Sequence, residues 1–173
     1  MEYIDDELVY RSSDCTWCNP SDPLYSNIAA AKYYARGIVL HLGMDVSAGV
    51  AGNSHVRRPS FQAIRTLCTV MAGARPANLF IEIQSQASNI RQYGFSLPGG
   101  DRLAALWTDG VAVDQDAGVR STVTVHGIGA WQVTGIDILN GFEQPLRAGV
   151  EGGDLVIRDL FVKDYPILLR LSE

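Results

Sequence analysis

From Leu79 to Glu173 apolar residues recur largely at every second position in short runs, and turn signals separate most of the runs. That period belongs to a strand with one face on a core, whereas a helix needs a repeat near 3.6. The runs are Leu79–Ser85, Arg91–Leu97, Arg102–Thr108, Ser121–His126, Gln132–Ile138, Glu143–Ala148, Asp154–Phe161 and Ile167–Leu171. Between them stand Pro98-Gly99-Gly100-Asp101, Asp109-Gly110, Gly127-Ile128-Gly129, Asn140-Gly141, Gly152-Gly153 and Asp164-Tyr165-Pro166. Glycine, proline and Asx residues in such pairs supply the special dihedrals of tight turns. Eight short strands at this spacing predict two antiparallel sheets packed as a β-sandwich. Leu106, Trp107, Val123, Val125, Ile136 and Val156 are its expected core, and residues 79–173 are expected to fold cooperatively alone.

The first half has a different rhythm. Ile4–Tyr10 reads as a strand, and a Ser-, Asp- and Pro-rich loop follows from Arg11 to Ser26. Asn27–Leu42 is predicted helical: its alanines favour helix, and Ile28, Ala31, Ala35, Ile38, Val39 and Leu42 form one apolar stripe, with Gly43 as the stop. Met44–Val50 is a second strand. Ser60 is the expected N-cap of a second helix reaching Ala72, with Phe61, Ile64, Leu67, Cys68 and Met71 on one face and Gly73 at its end. The class is therefore α+β, with a strand-helix-strand-helix segment over residues 1–76 and the sandwich over residues 77–173. Arg75-Pro76-Ala77-Asn78 marks the boundary. The two helical stripes must be covered, and a parallel strand pair is normally covered on both faces. Residues 1–78 are accordingly expected to be insoluble or molten alone, leaning on the sandwich or on a second copy of the chain.

Composition narrows the partners. With 47% hydrophobic and 19% charged residues the chain can bury a core. A formal charge of -5 argues against nucleic acid and anionic membrane as main partners. No apolar run reaches the roughly 18 residues of a membrane span. The start, Met1 to Glu7, is acidic and has no signal-peptide pattern, so localisation is open, with an extracellular parent protein compatible. Cys15 and Cys18 form a C-x-x-C followed by Asn19-Pro20, which is loop chemistry, so a loop disulfide or free thiols are expected. Cys68 is expected in the core as a small apolar residue. His41, His55 and His126 are scattered, and no metal or cofactor is expected.

The order strand, helix, strand, helix, sandwich is carried by particular stretches. They are Ala31-Lys32-Tyr33-Tyr34-Ala35-Arg36-Gly37-Ile38-Val39-Leu40, Arg58-Pro59-Ser60-Phe61-Gln62-Ala63-Ile64-Arg65-Thr66-Leu67 and Leu103-Ala104-Ala105-Leu106-Trp107-Thr108-Asp109-Gly110. Val133 to Gly141 and Asp164 to Arg170 complete the set. Together they resemble the end of a retaining (β/α)8-barrel glycoside hydrolase: the helices after barrel strands seven and eight, then the C-terminal β-sandwich. The resemblance implies that the sandwich is a structural accessory domain. It implies that Glu7, near the end of the first strand, is the candidate nucleophile. Such an enzyme needs two carboxyls about 5 Å apart. The general acid would come from barrel strand four, upstream, so the chain alone is expected to be inactive and to require the missing barrel portion or pooled copies of itself.

Other residues admit two readings. Glu7 on residue chemistry alone is an acidic residue beside Asp5 and Asp6. Asp45, Asn53 and His55 are expected at the active-site face, at the C-terminal end of the second strand and the loop after it, as substrate contacts; otherwise they are polar loop residues capping the next helix. The family often has a sugar-stacking aromatic after strand eight, where this chain has Ala51-Gly52-Asn53-Ser54-His55. Trp107 and Trp131 are expected in the core rather than stacked on sugar. Asp137 is expected as a strand-end turn residue satisfying nearby N–H groups. Asp109, Asp114 and Asp116 lack the order of a calcium loop and read as a solvated turn. The rival from another class is a non-catalytic sandwich that binds carbohydrate or a protein partner.

Overall fold

The computed structural model describes residues 3–8, 10–11, 21, 24–50, 58–129 and 131–173. The fold is α+β. In chain order the elements are β1 (Tyr3–Leu8), α1 (Asn27–Gly43), β2 (Val46–Val50), α2 (Arg58–Val70), β3 (Arg75–Pro76), β4 (Ile81–Ser85), β5 (Ile90–Ser96) and β6 (Arg102–Thr108). They continue with β7 (Val119–Val125), β8 (Gln132–Asp137), β9 (Phe142–Pro145), β10 (Gly149–Glu151), β11 (Asp154–Val162) and β12 (Ile167–Ser172). β1 and β2 pair in parallel. The other strands form two antiparallel sheets, one in the order β10-β11-β7-β4 and one in the order β3-β5-β6-β12-β8-β9.

Two cores share the six-stranded sheet. Between the sheets lie Ala104, Leu106, Val123, Val125, Leu155, Ile157, Leu169 and Leu171. On the outer face of the six-stranded sheet, Phe95, Leu103, Ala105, Trp107, Ile136 and Leu168 pack with Tyr34, Ile38 and Val39 of α1 and Leu67 and Val70 of α2. The molecule is thus layered helix pair, wide sheet, narrow sheet. The continuous apolar run Leu103 to Trp107 has this cause: alternate side chains enter different cores, and all five are buried. The six residues expected in the core are all buried. Trp107 and Ile136, however, serve the helix side, where the Trp107 ring stacks on Tyr93 at 5.6 Å.

Several local expectations are corrected. Cys68 is exposed and Phe61 is 59% exposed, while Ala63 and Val70 are buried. Leu67 and Met71 of the expected stripe are buried and Ile64 packs on the core, while Ala63 and Val70 complete the buried face in place of Phe61 and Cys68. Ser60 is not the N-cap; it lies buried inside the first turn of α2. Pro59 is tolerated there because first-turn N–H groups have no helical partner. Gly43 is the last residue of α1 rather than a residue beyond it. A β-carbon on Gly43 would fall 2.1 Å from the Tyr93 ring, so close helix–sheet approach is its function. The boundary tetrapeptide is no free linker, since Arg75 and Pro76 pair with Ser96 and Phe95 as an edge strand. Gly149–Glu151 adds another strand that the sequence pattern did not reveal.

The link between the parts is tight at Gly94. A β-carbon there would lie 2.6 Å from the Ala77 carbonyl and 2.9 Å from Leu79. The Ala77 N–H also donates to Gly94 O at 2.9 Å, so the two segments are held close at this point. Gly94→Ala is expected to destabilise the protein by about 1–3 kcal/mol, the usual size of an overpacking penalty. Urea denaturation of the two proteins measures it, and equal midpoints would show that the strand can shift freely.

Candidate functional site

Glu7 is the next-to-last residue of β1, within a register irregularity between Asp5 and Leu8. Asn53 and His55 lie outside the described residues, as do Cys15 and Cys18. Asp45 is found at the start of β2. It precedes β2, in left-handed conformation with φ 59°, and its N–H donates to Leu42 O at 3.1 Å. It therefore ends α1, a position where an Asp tolerates positive φ. Asp45 thus lies at the N-terminal end of β2 rather than at its C-terminal end.

What the fold brings together is a polar cluster between α1 and the sandwich. Lys32, 2% exposed, donates to Asp164 Oδ1 at 2.6 Å and to the Val113 carbonyl at 2.5 Å. Arg36, one turn later on the same side of α1, donates to the carbonyls of Asp164 at 2.7 Å and Gly110 at 2.5 Å. Asp164 Oδ2 accepts from Val113 N at 2.9 Å, and Asp164 N donates to Asp116 Oδ2 at 2.9 Å. Ala112 N donates to the Tyr33 hydroxyl at 3.0 Å, and Ser26 Oγ donates to Asp114. The β6–β7 loop is thereby held on α1 from Gly110 to Asp116. Because every charge in the cluster has a partner, burial is tolerated.

A second cluster lies next to it. Tyr10, just after β1, stacks on Tyr33 at 5.5 Å and meets Tyr34 edge-on at 5.1 Å, while Tyr25 lies 4.9 Å from Tyr33. Burial raises the Tyr10 phenol above its ordinary pKa. These rings seat the chain that leaves β1 on the N-terminal half of α1. Tyr165 is buried at the far side of the polar cluster and donates to Asp137 Oδ2 at 3.2 Å. Burial and the facing Asp137 carboxylate hold its phenol well above the usual range, so it stays a donor. Asp137 also accepts from the N–H groups of Leu139 and Asn140, as its turn position suggested.

Asp109, Asp114 and Asp116 do not converge. Asp109 pairs with Arg91 at 2.9 Å, whose hydrogen bond holds the carboxyl below its usual pKa. Among the described residues no group of His, Cys, Asp and Glu could hold a metal ion. Also among them, no helix is long and apolar enough to cross a membrane. At the end of the narrow sheet, His126 Nδ1 lies 2.8 Å from Asp154 Oδ2, and Phe80 stacks on its ring at 4.4 Å. The Gly127 N–H and then His126 hold the Asp154 carboxyl below its ordinary pKa.

The polar cluster went unforeseen, although one signal was present. Lys32 and Arg36 sit four residues apart among alanines on an otherwise buried helix. Their partner, Asp164, is distant in sequence, and no local pattern announces that pairing. The fold and these contacts define a class, an antiparallel β-sandwich faced by a helix pair that is clamped to a sandwich loop. No protein-family model matches this chain, and no curated protein matches it.

Proposed function

We propose that the chain is the C-terminal portion of a retaining (β/α)8-barrel glycoside hydrolase. The β1-α1-β2-α2 segment supplies its last two barrel units, and the sandwich braces them. The observation that carries this reading is the parallel pairing of β1 with β2 around α1, with both helices laid on one sheet of the sandwich. A parallel pair with a helical crossover is the repeating unit of such a barrel. Glu7 stands near the C-terminal end of β1, the end at which barrel enzymes carry their catalytic groups. In this role Glu7 attacks the anomeric carbon, and an upstream acid protonates the leaving oxygen. The Lys32–Asp164–Arg36 cluster and the tyrosines hold α1 and the chain after β1, and so fix where β1 ends.

The expected result is that the purified chain hydrolyses no aryl glycoside. Joined to an upstream segment that completes the barrel, it is expected to turn substrate over with retention of configuration, and Glu7→Gln drops the rate to background without changing the melting temperature. Retained activity in the Glu7→Gln protein would remove Glu7 from the mechanism. Activity of the chain alone would overturn the need for a barrel.

A further inference from the structure

A cleft of ≈ 380 Å3 opens between the β8–β9 edge of the wide sheet and β11 of the narrow one. That volume falls within the range of small-molecule sites. Most polar groups along it are already engaged. Asp137 accepts from Tyr165 and Asn140, Lys163 donates to the Asp116 and Ala117 carbonyls, and Arg158 pairs with Glu151 at 2.6 Å. Asp159 lies 3.5 Å from Arg120. Gln144 and Arg147 are different, because among the described residues neither side chain has a hydrogen-bond or ion-pair partner. Phe142 lines the same cleft and is 70% exposed. It shares a face of β9 with Gln144, two residues on, and pairs across to Asp137.

An exposed ring, an amide and an unpaired guanidinium therefore border one small cleft. We propose that this cleft binds a sugar carrying a carboxylate, a uronic acid unit of a glycan. The apolar C–H face of the pyranose lies on Phe142. The Gln144 amide both donates and accepts, as paired hydroxyls require. The Arg147 fork takes the carboxylate through parallel N–H···O bonds, the geometry for which guanidinium is suited. The site belongs to the sandwich alone and is independent of Glu7 and of the barrel reading.

The test is titration of the full chain with trigalacturonic acid and with a glucuronic-acid-substituted xylotriose, followed by amide NMR shifts. Xylotriose, cellotriose, sodium acetate and inorganic phosphate at matched ionic strength are the comparators. Both acidic sugars are expected to shift resonances of β8, β9 and β11. Arg147→Ala and Phe142→Ala are each expected to weaken binding about tenfold, the equivalent of one good contact, with unchanged melting temperatures since both residues are exposed. Salt at about 0.5 M should weaken the acidic sugars' binding through charge screening. Failure of both acidic sugars to bind, or shifts confined to other strands, overturns the site. Neutral trisaccharides binding as tightly overturn the acidic-sugar assignment, and equal shifts with acetate or phosphate reduce the cleft to a simple anion site.

Discussion

Residues 79–173 expressed without the preceding chain are expected to lack a cooperative melt and to aggregate. The sequence pattern alone suggests the opposite, because the strands and turns of a sandwich are all present. The structure reverses the expectation through one face. Without α1 and α2, the outer face of the wide sheet presents Phe95, Leu103, Trp107, Ile136, Ile138 and Leu168 to water, all of them now at most 2% exposed. Burying a large apolar side chain is worth about 1.5–3 kcal/mol. Even half of six such contributions approaches the roughly 5–15 kcal/mol that holds a whole domain together. The patch would also exceed what soluble monomers normally expose. Circular dichroism and sedimentation of the truncated protein against the full chain decide the matter. A monomeric product with a sharp melt would show that the inter-sheet core suffices and that the helices are an addition.

Loss of the Asp164 carboxylate is expected to be the most damaging single change in the polar cluster. Asp164→Ala leaves the Lys32 ammonium 2% exposed and without its carboxylate. It also removes the acceptor of the Val113 N–H. Breaking a buried pair from one side costs about 3–5 kcal/mol. For a protein of this size, that corresponds to a fall of roughly 10 °C or more in melting temperature. Lys32→Met combined with Asp164→Ala removes both charges and is expected to be less destabilised than the sum of the single changes, because no unpaired charge remains. Chemical denaturation of the four proteins gives the coupling directly. A coupling near zero would mean that water reaches Lys32 and that the clamp contributes little.

Much of the secondary structure was legible from the sequence because its causes are local. The helix Asn27–Gly43 and the strand Arg102–Thr108 follow from alanine content, period and turn chemistry, all of which act within a few residues. Local pattern misleads where a neighbour distant in the chain decides. Cys68 and Phe61 fit an apolar stripe, but the sheet against which α2 packs selects an adjacent stripe that includes Ala63 and Val70. Gly43 looks like a helix stop, yet the Tyr93 ring is what excludes a side chain there.

The candidate site divides in the same way. Glu7 is legible as an acidic residue near the end of a strand, and the parallel partner of that strand is found only in the fold. Asp45 reads as a polar residue beside a strand, whereas the chain's direction places it at the start of β2 as the residue that ends α1. Lys32 and Arg36 can be seen as charges on an alanine-rich helix, but their acceptors are Asp164 and the carbonyls of a loop more than seventy residues away. Alternating apolar residues and turn dipeptides determine by themselves that strands form and where they turn, because each acts through its own dihedrals and its own pleat. Which sheet face receives the helices, and which charges meet beneath them, is decided only in the tertiary structure. Those contacts join groups remote in the chain, and burial alone makes their pairing obligatory.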